Sequence, residues 1–325
     1  MLDHKRDLKA WIYLAIPLTI LIVFTFYPII NTIMIAFASG FNDATNEFFV
    51  TDRYGVTHIA INFNAFVTIF NDRFFSTAIT NTLIIVLFTV PITTILSLLI
   101  AVFLNSIKPL QKMFQLIFFL PYVTNTIALG MVFAAMFSSP MIIGGIPSGP
   151  QGLINDLFGL QINWVGTNAY RHHWMFAVIL YSVWNGLAFR ILVFVGGLQS
   201  IGKQYYDAAK IDATPPRRVL TKITIPLLSP ILAYIIITSF IGAFQASDSV
   251  LAVAGGSGDV TGLVPADINR FTIIHFIYDR MNAGGHRIDG VSNYSVAAAT
   301  SVILLLIILA ATFVNLYISK KKVHF

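Results

Sequence analysis

Cysteine is absent from this chain of 325 residues. Its absence excludes disulfides, iron–sulfur clusters and thiol catalysis, and leaves the redox compartment unreadable. Charge is scarce as well: Asp, Glu, Lys and Arg make up 10% of the residues, against about a quarter in a soluble globular domain. A working phosphate loop is missing. The stretch "GLQSIGKQ" ends on Gln204, where a P-loop needs Ser or Thr to hold Mg²⁺, and it leaves an apolar helix instead of a strand. "GGSGDVTG", residues 255–262, has glycines without a Rossmann strand and reads as a turn.

Hydrophobic residues supply 57% of the chain. They gather in long uncharged runs: 10–42, 74–107, 113–155, 223–247 and 291–319. About 20 apolar residues cross roughly 30 Å of hydrocarbon, and no single soluble core uses five such runs. The expected fold is therefore an all-α polytopic membrane protein. Six transmembrane helices are predicted near 10–38, 77–104, 113–137, 174–198, 227–247 and 292–318. The N-terminal "MLDHKRDLKAW" resembles a signal-peptide n-region, but the apolar run behind it is too long for an h-region, so the first span is expected to be retained. Pro91 and Pro121 are kink candidates.

The positive residues sort by side. With the N-terminus inside, thirteen of the twenty Lys and Arg residues, including every lysine, fall in cytoplasmic segments. Arg53, Arg73, Arg171, Arg270, Arg280 and Arg287 lie outside, and Arg190 lies within the fourth span. This obeys the positive-inside rule and predicts both termini cytoplasmic. It also accounts for the net charge of +6 without nucleic acid. The outer segments are 39–76, 138–173 and 248–291. None is long enough for a separate domain, and "ADINRFTIIHFIYDRM" (266–281) reads as a short amphipathic helix lying at the interface.

Reactive constellations do not assemble. His172 and His173 are adjacent and make a poor metal pair. His275 and Asp279, at i and i+4, suit a helical side-chain pair. No His lies within a proposed span, which argues against intramembrane serine proteolysis. No Asp, Glu or His sits mid-span, which argues against a proton- or sodium-coupled secondary transporter. Polar groups in the spans do stand out: Asn125 in the third; Trp184, Asn185 and Arg190 in the fourth; Gln245 and Asp248 near the outer end of the fifth. Such groups line a cavity or act as helix–helix glue. Indole and amide side chains suit a sugar, whose ring face stacks while its hydroxyls hydrogen-bond. Arg190 is placed to snorkel toward the cytoplasm.

Residues 199–226 interrupt the hydrocarbon with a charged, proline-punctuated strip. Tyr205, Tyr206, Ala208, Ala209 and Ile211 supply an apolar surface. Thr214 is an N-cap candidate ahead of Pro215, and a second helix is predicted from Pro215 to Ile225, ending before Pro226. Two helices this short need packing to persist. They meet either a protein partner or their own bundle.

The strip "YYDAAKIDATPPRRVLTKITIPLLSP" resembles the cytoplasmic signature of binding-protein-dependent ABC importer permeases: Glu-Ala-Ala, two residues, Asp-Gly-Ala, then Phe, Ile and Leu-Pro at set spacing. Asp207, Ala208 and Ala209 match the opening triplet with Asp for Glu, and Asp212 matches the central acid. Ala213 stands for Gly and Thr214 for Ala. Leu220 stands for Phe, Ile223 matches, and Ile225-Pro226 matches Leu-Pro. "FFLPYVTNTIALGMVFAAMF" and "GLINDLFGLQINWVG" resemble the family's second core span and the outer segment that follows it, and "AFQASDSVLAVAGG" and "YSVAAATSVILLL" resemble the last two spans of the carbohydrate, maltose-type branch.

The resemblance implies an N-terminal span and first external segment (1–76) followed by a core permease domain (77–325), with a coupling-helix hairpin between helices 4 and 5 (199–226). It implies the bacterial cytoplasmic membrane, a second homologous permease subunit, two cytoplasmic ATPases that bind the ATP and Mg²⁺, and an extracytoplasmic solute-binding protein. Residues Asp207, Ala208, Ala209, Asp212, Ala213, Leu220, Ile223 and Pro226 would couple to an ATPase, with Ala208 and Ala209 small because the partner approaches closely. The chain itself would be non-catalytic and free of cofactors. A permease for amino acids or peptides is the alternative, since the signature is shared across substrate classes.

Overall fold

A computed structural model describes residues 2–38, 41, 49–51, 57–59, 61–107, 111–139, 141–143, 146–148, 151–166, 169–254, 267–282 and 293–322. Lys108, Arg53, Arg287, "GGSGDVTG" and parts of the first two outer segments lie outside the described residues. The helices are α1 (Leu2–Leu21), α2 (Tyr27–Phe37), α3 (Asn64–Asn71), α4 (Arg73–Ser106), α5 (Gln111–Val123), α6 (Thr126–Met136), α7 (Leu153–Phe158), α8 (Arg171–Ser200), α9 (Lys203–Ile211), α10 (Pro216–Val219), α11 (Ile225–Leu227), α12 (Ser229–Phe244), α13 (Asp248–Ala254), α14 (Ile273–Met281) and α15 (Asn293–Lys322). Two antiparallel hairpins of three-residue strands, β1 (Phe49–Thr51) with β2 (Thr57–Ile59) and β3 (Met141–Ile143) with β4 (Ile146–Ser148), decorate the outer segments.

Four segments are long and apolar enough to cross a membrane: Tyr13–Phe37, Arg73–Ser106, Arg171–Ser200 and Asn293–Lys320. Two more spans are bent pairs, so the six expected helices are not six continuous rods. Met113–Val123 and Thr126–Met136 meet at 94°, and Pro216–Leu227 and Ser229–Phe244 at 71°. The third span thus breaks at Thr124–Asn125, three residues past Pro121, whereas α4 runs unbroken through Pro91. Two π-helical turns, Ile22–Phe26 and Leu220–Thr224, each end two residues before a proline, Pro28 and Pro226. A proline ring collides with the carbonyl four residues back and offers it no N–H; a widened turn absorbs both effects.

The packing divides the chain into two compact units, 1–73 with 277–305, and 74–276 with 306–325. In the first unit, Phe37 packs on Phe63 and Phe66, Ser295 donates to the Ala38 carbonyl, and Arg280 forms a buried ion pair with Asp72 at 2.5 Å. In the second, α4 turns a stripe of small and polar residues inward: Ala78, Thr82, Val86, Val90, Thr93, Ser97 and Ala101 are buried. The hydroxyls of Thr82, Thr93 and Thr94 bond back to carbonyls of their own helix. Small residues whose polar groups are satisfied internally let membrane helices approach closely. Ala101 and Leu104 accordingly join Ile191, Phe194, Val195 and Leu198 of α8 in one core cluster.

The segment expected at the interface is buried instead. Phe271, Ile273, His275 and Phe276 are at most 2% exposed. Asn81 of α4 donates to the carbonyls of Asn269 and Phe271 at 2.8 and 2.9 Å, and Thr82 accepts from the Ile273 N–H at 3.0 Å. The Thr82 bond satisfies one of the donors that a helix entrance leaves orphaned, and the two from Asn81 satisfy carbonyls just ahead of it. Arg270 reaches the carbonyls of Val165 and Gly166. His275 spends Nδ1 on Thr272 and not on Asp279. Burial pushes its imidazole down to about 3, only partly offset by the Ser247 backbone.

Candidate functional site

Two places gather the residues singled out by sequence. The first is formed by the break in the third span and the turn that follows α12. Asn125 caps α6: its Oδ1 accepts from the N–H groups of Ile127 and Ala128 at 2.9 and 3.1 Å, as an Asn N-cap does. The other break falls at Gln245–Ser247, between α12 and α13. Asp248, just past the end of α12, begins a separate helix, where a carboxylate suits the positive end of the dipole. Its partner there is the Ser247 hydroxyl, which donates to Oδ1 at 3.1 Å.

Helix α13 packs on α6 and α8. Gly130 makes this possible, because a side chain there would overlap Ala252. Tyr181 of α8 donates to the Thr126 carbonyl, next to the first break, and lies within electrostatic reach of Asp248 at the second. One turn along, Trp184 packs on Phe133 with ring centroids 5.2 Å apart. The structure thus brings Asn125, Trp184 and Asp248 around Tyr181. Asn125, Gln245 and Asp248 are exposed, while Trp184 and Asn185 are half-buried. Tyr181, which links the breaks, was not among the sequence candidates.

Arg190 does not snorkel. Its Nε donates to the Ser239 hydroxyl at 2.8 Å and its Nη1 to the Gly186 carbonyl at 2.7 Å, so it ties α8 to α12. A guanidinium at membrane depth finds partners inside the protein because hydrocarbon supplies none.

The second place is the charged strip. Helix α9 ends in a Schellman motif: Thr214 N–H bonds to Ala209 O at 2.9 Å and Ala213 N–H to Lys210 O at 3.1 Å. Ala213 takes φ 50°, the left-handed conformation usually given to glycine. The second helix starts one residue later than expected, with Pro215 at the cap position and Pro216 leading the helix. It also does not stop before Pro226, since the π-helical turn carries it into α11.

The strip has an inner and an outer face. Ala209 is 5% exposed, and Tyr206 meets the Thr224 hydroxyl at 3.3 Å. Both line a cavity of about 470 Å³ beneath the hairpin, with Val102 and Ser106 of α4 and Leu198 of α8. In the isolated chain Ala209 therefore faces inward, toward that cavity. On the opposite face Gln204, Tyr205, Ala208 and Ile211 are exposed, Ile211 at 86%. The Lys210–Asp207 pair, 3.5 Å apart and solvent-facing, contributes little.

A model of the family described as binding-protein-dependent transport system inner membrane component matches residues 65–323. Over 99% of its length, the chain is 25% identical to the lactose transport system permease protein LacF of Rhizobium radiobacter, covering 97% of that protein. It is 28% identical to the arabinooligosaccharides transport system permease protein AraP of Bacillus subtilis over 78% of this chain and 74% of that one. The sn-glycerol-3-phosphate transport system permease protein UgpA of Yersinia pestis is 26% identical over 84% of this chain and 85% of the relative. Among solved structures, a bacterial alginate ABC transporter in complex with an alginate pentasaccharide-bound periplasmic protein superposes with a TM-score of 0.72. It is 21% identical over 98% of this chain and 96% of that one, which shows the fold.

Proposed function

The chain belongs to the family of binding-protein-dependent transport system inner membrane components, and from that premise we propose that it passes a sugar or oligosaccharide inward by alternating access. The solute would come from an external solute-binding protein. The observation that carries this reading is the break in the third span and the turn after α12, held together where α6 and α13 pack on each other and on α8, with amide, indole and carboxylate groups nearby. Unwound backbone within a membrane is tolerated where it lines a cavity or is buried in protein, and transporters use such breaks for their substrates. Lactose and arabinooligosaccharides in the relatives' names favour a sugar, and sn-glycerol-3-phosphate, a phosphorylated polyol, likewise stands apart from an amino acid or peptide.

In this reading both termini are cytoplasmic, and a second homologous permease completes the pathway. Two ATPases hold the ATP and Mg²⁺, and this chain carries no cofactor. The outward face of α9, with Tyr205, Ala208 and Ile211, sits in a groove of an ATPase, and Ala213 sets the angle between the helices of the hairpin. Closure of the ATPase pair drags the hairpins together and tilts the spans from inward-open to outward-open.

The test reconstitutes the chain with its co-purifying subunits and solute-binding protein, and measures uptake across a panel of oligosaccharides, amino acids and peptides. Uptake of a carbohydrate, lost with Asn185→Leu combined with Gln245→Leu while the ATPases stay bound, is the expected result. Uptake confined to amino acids or peptides would overturn the substrate class. Unchanged transport in the double variant would return both residues to helix packing.

A further inference from the structure

A groove of about 710 Å³ runs between α4 and α8, away from the breaks. Ile84, Phe88, Ile92 and Leu96 line it from α4, every fourth residue along one stripe, and Met175, Ile179 and Val183 are among its α8 walls. Its charged lining residue is Arg171, at one end in the first turn of α8 beside His172. The lining includes no acidic side chain. Arg171 is exposed and forms no ion pair among the described residues. Tyr170, 70% exposed, stacks on His172 next to it, which fits the headgroup level of a bilayer.

The dimensions select the occupant. The twelve residue steps from Ile84 to Leu96 rise about 18 Å, a little more than half of the roughly 30 Å hydrocarbon thickness. The groove is one leaflet deep. A single acyl chain fits that depth. A fixed cation at the headgroup end, with no carboxylate to oppose it, asks for a phosphate. We propose that this groove is a binding site for one anionic phospholipid, its chain lying between α4 and α8 and its phosphate held by Arg171. The site is independent of the transported solute.

Native mass spectrometry of the full-length chain with its co-purifying subunits, delipidated and re-supplied with either phosphatidylglycerol or phosphatidylcholine, tests this. The wild type is expected to retain phosphatidylglycerol and to lose phosphatidylcholine. One cation near a membrane surface corresponds to about fivefold in affinity, so Arg171→Gln should lower phosphatidylglycerol retention about fivefold, while Arg171→Lys keeps most of it. Ile92→Trp fills the groove at a 39% exposed position, spares Arg171, and should abolish retention. Equal retention of the two lipids overturns the proposal, as does an unaffected Arg171→Gln or Ile92→Trp. In this cysteine-free chain, Ile92→Cys that cross-links to another polypeptide instead of remaining open to lipid-borne maleimide would assign the groove to a partner helix.

Discussion

Replacing Gly130 by Ala tests whether the two breaks are held in register by the contact between α6 and α13. A Cβ at position 130 would overlap the Ala252 side chain and lie 3.2 Å from its Cα and 3.3 Å from its carbonyl carbon. Carbon atoms prefer about 3.5–4.0 Å, so two backbone atoms are too close and the side-chain carbon far more so. Neither backbone atom can rotate away. Helix α13 must therefore retreat as a body from α6, and its own Val250 and Val253, each 1% exposed, are already packed in the cluster that contains Tyr181 of α8. Overpacking of this kind costs about 1–3 kcal/mol, or roughly 5- to 150-fold in an equilibrium.

Thermal midpoint of the purified chain and initial uptake rate are the two assays. Gly130→Ala should lower both. The double variant Gly130→Ala with Ala252→Gly moves one methyl from one helix to the other at the same contact, and should recover most of the loss. Recovery gives a coupling energy comparable to the single-variant cost, as expected only for residues in direct contact. A wild-type midpoint in Gly130→Ala, or a double variant worse than the single, would refute the reasoning.

Acidification should loosen the second unit through His275. Its folded value of about 3 lies below the ordinary 6.5 or so, so the unfolded chain takes the proton first. Stability is then complete above about pH 6.5 and falls toward pH 3, by about 2 kcal/mol between pH 6.5 and 5. His275→Gln should flatten the thermal midpoint's pH dependence over that interval, and parallel pH profiles would contradict this. Asp72→Ala removes the ion-pair partner of the buried Arg280 guanidinium while Asp279 still acts on it, and should cost up to about 3 kcal/mol, visible as increased proteolysis of the first unit; an unaltered cleavage pattern speaks against it. Ile211→Asp, at an 86% exposed position, should leave the fold intact and detach the ATPases on co-purification. ATPases that stay bound and coupled would remove α9 from that role. For orientation, single cysteines at Gln204 and Asn282 should be labelled from inside and outside respectively, and external labelling of Gln204 would invert the assignment.

The spans were legible because length and hydropathy are physical requirements of the bilayer, and both can be counted along the chain. The breaks were not. A helix that bends by 94° inside the hydrocarbon has the same composition as one that crosses straight, and Asn125 reads equally as glue or as cap until the N–H groups it accepts from are seen. Proline misled in the same way: Pro91 leaves α4 unbroken, Pro226 is absorbed by a π-helical turn, and the bend after Pro121 falls on the residues behind it.

The segment around His275 shows a deeper ambiguity. An amphipathic pattern fits a helix lying at an interface, and it fits equally a buried helix whose polar groups bond inward. The distinguishing signal lay nearly 200 residues away in Asn81 and Thr82, two hydrogen-bonding side chains at the start of a span that needed distant partners. In the strip, spacing located the turn, and its chemistry follows from the Ala213 backbone. Which of two neighbouring alanines faces outward did not follow, because successive helix positions differ by about 100° and both faces of α9 carry a tyrosine. Tyr206 joins Thr224 and turns Ala209 inward, which leaves Tyr205, Ala208 and Ile211 as the face available to another protein. An apolar side chain as exposed as Ile211, on a helix too short to stand alone, is a cost to an isolated chain that a bound partner removes.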